Sequence, residues 1–312
     1  MTLESVSKSF GDLSVLKDLS FEVNEGSIFG FIGKNGSGKT TTMKIVVGLL
    51  KADQGCVHVQ GKRVDFGETA TNRLVGFLPD VPEFYGFMNA MEYLTFCGRI
   101  AGMNPTDILR KANELIVLVG LKGSEKRRLK GYSRGMKQRL GIAQALIHDP
   151  ILLICDEPTS ALDPVGRAEL LNILSMVRER TTILFSTHIL ADVERICDYV
   201  GVLDNGSIAL EGNLDTIKSA HRSDVIVVEL SEAAQGAAPQ TVDRLRELPF
   251  VRSVQWQERL IHVGVGSLEA DGRLLLAELA GSPCTVLRYQ VQEPTLENLY
   301  RAVLEPSEEV VA

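Results

Sequence analysis

The stretch Gly33-Lys34-Asn35-Gly36-Ser37-Gly38-Lys39-Thr40 has the spacing GxxxxGK[ST], a pattern suited to gripping phosphate. Glycines let the backbone turn so that successive N–H groups point inward, and a helix start adds the positive end of its dipole. Lys39 is placed to reach the β- and γ-phosphate oxygens of a nucleoside triphosphate, and Thr40 to ligate Mg²⁺. The setting is the one such a loop requires. SIFGFIG (27–33) is an apolar strand candidate running into the loop, and a helix-compatible stretch begins at Lys39.

Kinases, GTPases and ATPases share such loops, so other residues must decide between them. No NKxD-type guanine-reading motif occurs, which counts against a GTPase. The chain continues with Tyr132-Ser133-Arg134-Gly135-Met136-Lys137-Gln138-Arg139, then Ile151-Leu152-Leu153-Ile154-Cys155-Asp156-Glu157-Pro158, then Ser160-Ala161-Leu162-Asp163, then Ser186-Thr187-His188. In order and spacing this set resembles the ATP-binding cassette (ABC) ATPases over about the first 215 residues.

The resemblance implies a role for each matching residue. Phe10 would stack on adenine, and Thr41 would join the phosphate loop in holding nucleotide. Asp156 would hold Mg²⁺ through water, Glu157 would polarise the attacking water, and His188 would contact the γ-phosphate and orient Glu157. Ser133, Arg134, Gly135 and Met136 would open a helix aimed at the γ-phosphate of another subunit; Asp163 lies in the loop that crosses to that subunit. ATP and Mg²⁺ are the implied cofactors. Two cassettes would meet head to tail, the second being another copy of this chain, the preferred reading, or a relative of it.

The chain departs from the family at two places. Against the common LSGGQ signature, Tyr132, Arg134 and Met136 stand for Leu, Gly and Gln; similar variants occur among the cassettes of ABC-2 type exporters. After Gly76-Phe77-Leu78-Pro79, where the family has a metal-linking glutamine, this chain has Asp80, a carboxylate able to ligate a hard cation. Asp80 therefore joins Thr40 and Asp156 as a metal candidate.

The elements that must position these residues are legible in outline. Strand candidates at 151–158 and 181–188 are apolar, end in polar residues and precede helical patterns, implying a mainly parallel α/β sheet whose ligand edge carries the motifs. A helix-rich insertion at about 87–147 is bounded by Pro79, Pro82 and Pro150, and DYVGVLDNGSIALEG (198–212) is a hairpin candidate with Asp204, Asn205 and Gly206 in its turn. The expected fold is an ABC-type P-loop domain over 1–220 with this helical subdomain. After a polar join at 231–240, a small α+β domain over 221–312 should follow, built on VIVVEL, VRSVQWQ, LIHVGVG and TVLRYQV with helices TVDRLREL and DGRLLLAEL, and ending in an acidic tail from Glu305.

With 312 residues, 45% apolar and 23% charged, the chain is long enough for two cores. No apolar run is long enough to cross a bilayer and the start lacks a signal-peptide pattern, so a cytoplasmic chain is expected. Net charge is −7. From residue 221 onward eight Arg and no Lys face fourteen acidic residues, leaving the first 220 near neutral. The five cysteines are scattered singly, with no CxxC pair and no histidine at metal-ligand spacing, and are expected to be reduced core residues. His58, His148, His221 and His262 are expected to be structural.

The partner implied by the resemblance is an integral-membrane permease of ABC-2 type with about six spans, which would hold the chain on the inner face of the membrane. Val81 to Ala101, with Phe84, Tyr85, Phe87, Met88, Tyr93 and Phe96, supplies apolar anchors for its coupling helix, although packing within the subdomain explains some of them equally well. The C-terminal extension, ending EPTLENLYRAVLE, resembles that of ABC-2 exporters, including drug-efflux members, and favours export over import. A soluble cassette acting on ribosomes or DNA is the alternative; the basic stretch Lys126 to Arg139 would serve it, but lies in a near-neutral domain and overlaps the signature, so nucleic acid is not expected. Glu157 and His188 argue against a regulator with little turnover. The transported substrate is not legible.

Overall fold

The computed structural model describes all residues but 68–69, 221–223, 233–235, 293–294 and 305–312, and leaves the side chains of 301–304 undescribed. The chain divides into two units, one built from Met1–Thr216 and taking in Tyr300, the other from Ile217–Leu299.

The elements up to the division are β1 (Thr2–Phe10), β2 (Leu13–Glu22), β3 (Ile28–Ile32), α1 (Lys39–Val46), β4 (Gln54–Val59), β5 (Lys62–Arg63), β6 (Val75–Leu78), α2 (Ala90–Ile100), α3 (Pro105–Leu118), α4 (Arg134–Leu146), β7 (Leu152–Asp156), α5 (Pro164–Val177), β8 (Thr182–Thr187), α6 (Leu190–Ile196), β9 (Tyr199–Asp204), β10 (Ser207–Asn213) and α7 (Leu214–Ala220). Every residue of β3, β7 and β8 is buried, as expected of strands covered on both faces. They form the centre of a sheet ordered β10-β9-β3-β8-β7-β6, parallel except for β10, which returns from β9 as a hairpin. Asn205 and Gly206 have φ of 47° and 87°, the positive pair that a tight hairpin turn needs.

A second, antiparallel sheet, β2-β1-β4-β5, was not anticipated. Its strands carry register shifts, and Ser5 at φ 51° breaks the apolar alternation that would have revealed β1. Leu3, Val6, Leu16, Leu19 and Phe21 share one core with residues of the parallel sheet. Phe21 stacks on Phe29 and Phe31 at 5.4 and 5.1 Å, which ties the two sheets together.

Helices α2, α3 and α4 fill the expected insertion. Asn89 and Glu92 form a reciprocal capping box at the start of α2, and Gly98 lets α3 approach, since a Cβ there would meet Ile108 at 2.8 Å.

In the second unit β11 (Val225–Leu230), α8 (Ala238–Arg246), β12 (Val251–Gln257), β13 (Leu260–Val265), α9 (Leu268–Ala280) and β14 (Val286–Val291) include an antiparallel sheet ordered β12-β13-β11-β14; the last helix, α10 (Leu296–Leu304), runs across the division at Tyr300. Ile226, Val228 and Leu230 alternate inward along β11 to meet Val242, Leu245, Leu275 and Leu279 of α8 and α9. The polar join is shorter than expected, because α8 starts at Ala238 with Pro239 in its first turn, a position where a missing N–H costs nothing. The acidic tail lies outside the described residues. Among those described, no helix is long and apolar enough to cross a membrane.

Candidate active site

The phosphate loop joins β3 to α1. Gly36 and Gly38 have φ of 83° and 113°, and a Cβ on Gly33 would lie 2.4 Å from Ser37 Oγ and 2.8 Å from Leu203 O, so each of these positions calls for glycine. Gly38 caps α1 with no side-chain hydrogen bond, leaving the first N–H groups of the helix to an external acceptor. Lys34 and Asn35 are exposed on the loop; Thr40 is exposed and Thr41 half-buried at the start of α1.

Lys39 is buried, and its Nζ donates to Gly33 O at 2.7 Å and Lys34 O at 3.3 Å. The same Nζ is 3.3 Å from Glu157 Oε1. Ser37 Oγ is buried without a hydrogen-bond partner, an orphan that an arriving phosphate oxygen would satisfy. Gly38 abuts Leu16 and Val15 of β2, which sets the β1–β2 hairpin beside the loop. Phe10, at the tip of that hairpin, is half exposed, with Lys8 Nζ 5.4 Å from its ring centroid.

Two carboxylates end β7. Asp156 is buried and its Oδ1 accepts from Ser186 Oγ at 2.7 Å. Glu157 has φ 47°, a conformation that costs a non-glycine residue about 1–3 kcal/mol. It is held there by its N–H, which donates to Ser186 O at 3.1 Å. The strain turns the Glu157 side chain between Lys39 and His188, whose Nδ1 is 2.8 Å from Glu157 Oε2. Ser186 thus orients both carboxylates. That role is not legible in the Ser186-Thr187-His188 stretch and follows only from Asp156 and Ser186 being in register on adjacent strands.

Asp80 is engaged differently. Its Oδ1 accepts from Ser160 Oγ at 2.9 Å, and its backbone carbonyl accepts from Gln138 Nε2 at 2.5 Å. Gln138 and Ser160 were missed as site residues; the first lies four residues into α4 and the second in the loop after β7, and nothing in their spacing pairs them with Asp80.

The signature residues form a second cluster. Ser133 caps α4, accepting from Met136 N–H at 3.3 Å, and Ser133 and Arg134 are exposed while Gly135 and Met136 are half-buried. Tyr132, which stands where the common signature has leucine, is buried, and its hydroxyl donates to Ser124 O at 2.8 Å, so this departure is absorbed by packing. Asp163 caps α5 by accepting from Gly166 N–H at 3.3 Å. Ser133, Arg134, Gly135 and Asp163 line one open concavity of about 320 Å³. Among the described residues no hydrogen bond or ion pair links this cluster to Lys39, Glu157 or His188.

Within the basic stretch, Arg128 pairs with Glu92, and Arg139 pairs with Glu169 at 3.1 Å. His148 bonds Val75 O and burial lowers its pKa; His262 faces Gln292 at 3.5 Å; His221 lies outside the described residues. Cys155 and Cys284 are buried, but Cys56, Cys97 and Cys197 are only partly so. The expectation that no histidine stands at metal-ligand spacing from a cysteine fails at His58, which shares a strand face with Cys56, because alternate residues of a strand point the same way.

A buried lysine cradled by a glycine loop, facing strand-end carboxylates at the carboxyl edge of a parallel sheet, defines a P-loop nucleoside triphosphatase. The sequence matches the family described as "ABC transporter" over residues 16–160 and the one described as "ATP-binding protein DrrA1-3-like, C-terminal domain" over residues 212–304. It is 38% identical to the uncharacterized ABC transporter ATP-binding protein YxlF of Bacillus subtilis, over 97% of this chain and 99% of that protein. It is 30% identical to the linearmycin resistance ATP-binding protein LnrL of the same organism, over 95% and 96% of the two chains. A solved structure titled as the ATP binding subunit of an ABC transporter superposes with a TM-score of 0.64 at 31% identity, covering 70% of this chain and 92% of that one. The chain belongs to the ABC transporter ATP-binding proteins. It is an ABC ATPase and the ATP-binding subunit of a transporter, a family whose members work with membrane permeases and as dimers.

Proposed function

We propose that this chain hydrolyses ATP as one of two cassettes that drive a membrane exporter of ABC-2 type. The observation that carries the catalytic part is the position of Glu157, which touches both Lys39 and His188. When ATP enters, its phosphates replace Glu157 and the loop carbonyls as partners of Lys39 and give Ser37 Oγ an acceptor. Glu157 is then released to polarise a water aimed at the γ-phosphorus. His188, whose Nδ1 is 2.8 Å from Glu157 Oε2, keeps that carboxylate oriented. The donors nearest this chemistry, the Thr40 hydroxyl and the Asp156 carboxylate, are hard oxygen ligands of the kind Mg²⁺ takes; the ion would neutralise phosphate charge there. Phe10 supplies an exposed aromatic face for adenine. The exposed start of α4, with Ser133, Arg134, Gly135 and Met136, serves the γ-phosphate of the partner cassette.

Asp80 supports a linking role more than a metal-binding one, because its carboxylate is held by Ser160. Ser160→Ala should lower turnover by about fivefold, the worth of roughly 1 kcal/mol for one hydrogen bond, with the Mg²⁺ dependence unchanged. A shift in half-saturating Mg²⁺ would instead assign the Asp80 carboxylate to the metal.

Two features support coupling to an exporter. Similarity to a linearmycin resistance ATP-binding protein runs nearly end to end, and the C-terminal unit has its own family match, with an ATP-binding protein's C-terminal domain. The helical subdomain also exposes Val81, Tyr85, Phe87 and Ile100. Phe84 packs edge-on against buried Tyr93 at 5.0 Å, which removes these two from the docking set, whereas Tyr85 and Phe87 form an exposed pair 5.8 Å apart. Changing both Tyr85 and Phe87 to Asp should leave ATP hydrolysis of the isolated protein within about twofold, since exposed substitutions perturb the fold little, and should abolish recovery with membranes. Affinity purification from gently solubilised membranes tests the whole reading. A polypeptide of about six spans in stoichiometric amount is expected; recovery with ribosomes or DNA alone would replace it with the soluble-cassette reading.

A further inference from the structure

The antiparallel sheet carries a cluster that ATP hydrolysis does not use. On β4, Val57 turns into the core while Cys56 and His58, two residues apart, share the opposite face. Across from them on β1, Glu4 is in register with Cys56 and Thr2 with His58. Cys56 Sγ lies 3.6 Å from Glu4 Oε2, and one ligand atom each from Glu4, Cys56 and His58 fall within 4.8 Å of one another. Around a tetrahedral zinc, with sulfur at about 2.3 Å and nitrogen or oxygen at about 2.0–2.2 Å, ligand atoms stand roughly 3.3–3.6 Å apart. Side-chain rotation alone can close that difference.

The backbone is shaped at this pair. Ser5 and Gly55, flanking Glu4 and Cys56, have φ of 51° and 80°, and a Cβ on Gly55 would come within 2.4 Å of the Glu4 and Ser5 carbonyl oxygens. The two strands are therefore drawn together where the three side chains meet, a local bend of the sort that re-aims side chains beside sites.

The donor set is chemically selective. A thiolate with an imidazole favours zinc-type ions over Mg²⁺, which prefers oxygen alone. Partial desolvation, reinforced by the hydrogen bond to Glu4, holds the Cys56 thiol above its ordinary value, so metal uptake must release its proton. Arg63 of β5, in register with His58, is a positive charge close enough to act on Cys56. Its guanidinium is largely exposed and turned to Asp65 at 3.4 Å, where solvent screens it.

We propose that Glu4, Cys56 and His58 form a binding site for a zinc-type divalent ion, with water as fourth ligand, that clasps β1 to β4. The full-length, nucleotide-free protein should bind one equivalent of Co²⁺ with thiolate-to-cobalt charge-transfer absorption in the near ultraviolet. Cys56→Ser should abolish that band, and H58Q and E4Q should each weaken binding by about tenfold or more. Saturating Zn²⁺ should raise the melting temperature of the wild type but not of C56S, and ATP turnover of the metal-free variants should match the wild type. Absence of the band in the wild type, or its persistence in C56S, would overturn the site; if C56S fails to fold, unaltered Co²⁺ affinity in both E4Q and H58Q does so.

Discussion

Replacing Glu157 by Gln is expected to lower ATP turnover by about 10²–10⁴-fold, the usual contribution of a positioned proton acceptor, while ATP binding persists. The substitution conserves shape, so the site should survive it. The single oxygen of glutamine can still accept either from His188 Nδ1–H, now at 2.8 Å from Glu157 Oε2, or from Lys39 Nζ, now at 3.3 Å from Glu157 Oε1, while its amide NH2 fills the other carboxylate position. It cannot take a proton from water. Because the negative charge facing Lys39 is also gone, ATP should bind at least as tightly as before. Steady-state phosphate release and nucleotide titration on the same preparation separate the two effects. Turnover unchanged by the substitution would remove Glu157 from the chemistry.

The second large effect should come from Gly135→Asp, far from Lys39 in hydrogen-bond connectivity. A Cβ at Gly135 would touch only Leu162, at 3.8 Å, so the side chain fits. A carboxylate in the first turn of α4 also suits the helix dipole, and the fold should not suffer. What changes is the anion-binding end of that helix, where an added negative charge would repel the partner's γ-phosphate. Turnover should fall by about 10²–10³-fold, comparable to losing one transition-state donor, with ATP binding by the protomer unaltered.

The two substitutions together test the composite site. In a mixed dimer of Gly135→Asp and Glu157→Gln chains, one site combines the Glu157 of the first chain with the Gly135 of the second, and both are intact. Mixing the two inactive proteins should restore turnover. If turnover stays absent while the mixed dimer forms, the site is confined to one chain.

The nucleotide site was legible because phosphate binding imposes a local rule. A loop that aims consecutive N–H groups at an anion needs glycine at fixed offsets, and Gly33, Gly36 and Gly38 carry that demand in eight consecutive residues. The buried strands around 28–32, 152–156 and 182–187 were legible for a similar reason: strands covered on both faces are apolar throughout, and short runs of that kind stand out. The β1–β4 sheet was not, since bulges at Ser5 and Gly55 shift its register and hide the alternation. Its partly exposed face also gives it no continuous apolar run.

The sequence by itself determined the class of chemistry, the parallel sheet that supports it and the presence of a second unit, because each rests on neighbours along the chain. Which groups meet was decided by the tertiary structure alone. Ser186 reaches Asp156 only because β7 and β8 run side by side in register, Ser160 holds Asp80 across 80 residues, and Glu4 meets Cys56 across 52. Spacing along a chain specifies backbone conformation, whereas a contact between distant residues depends on how strands are ordered and how closely they pack.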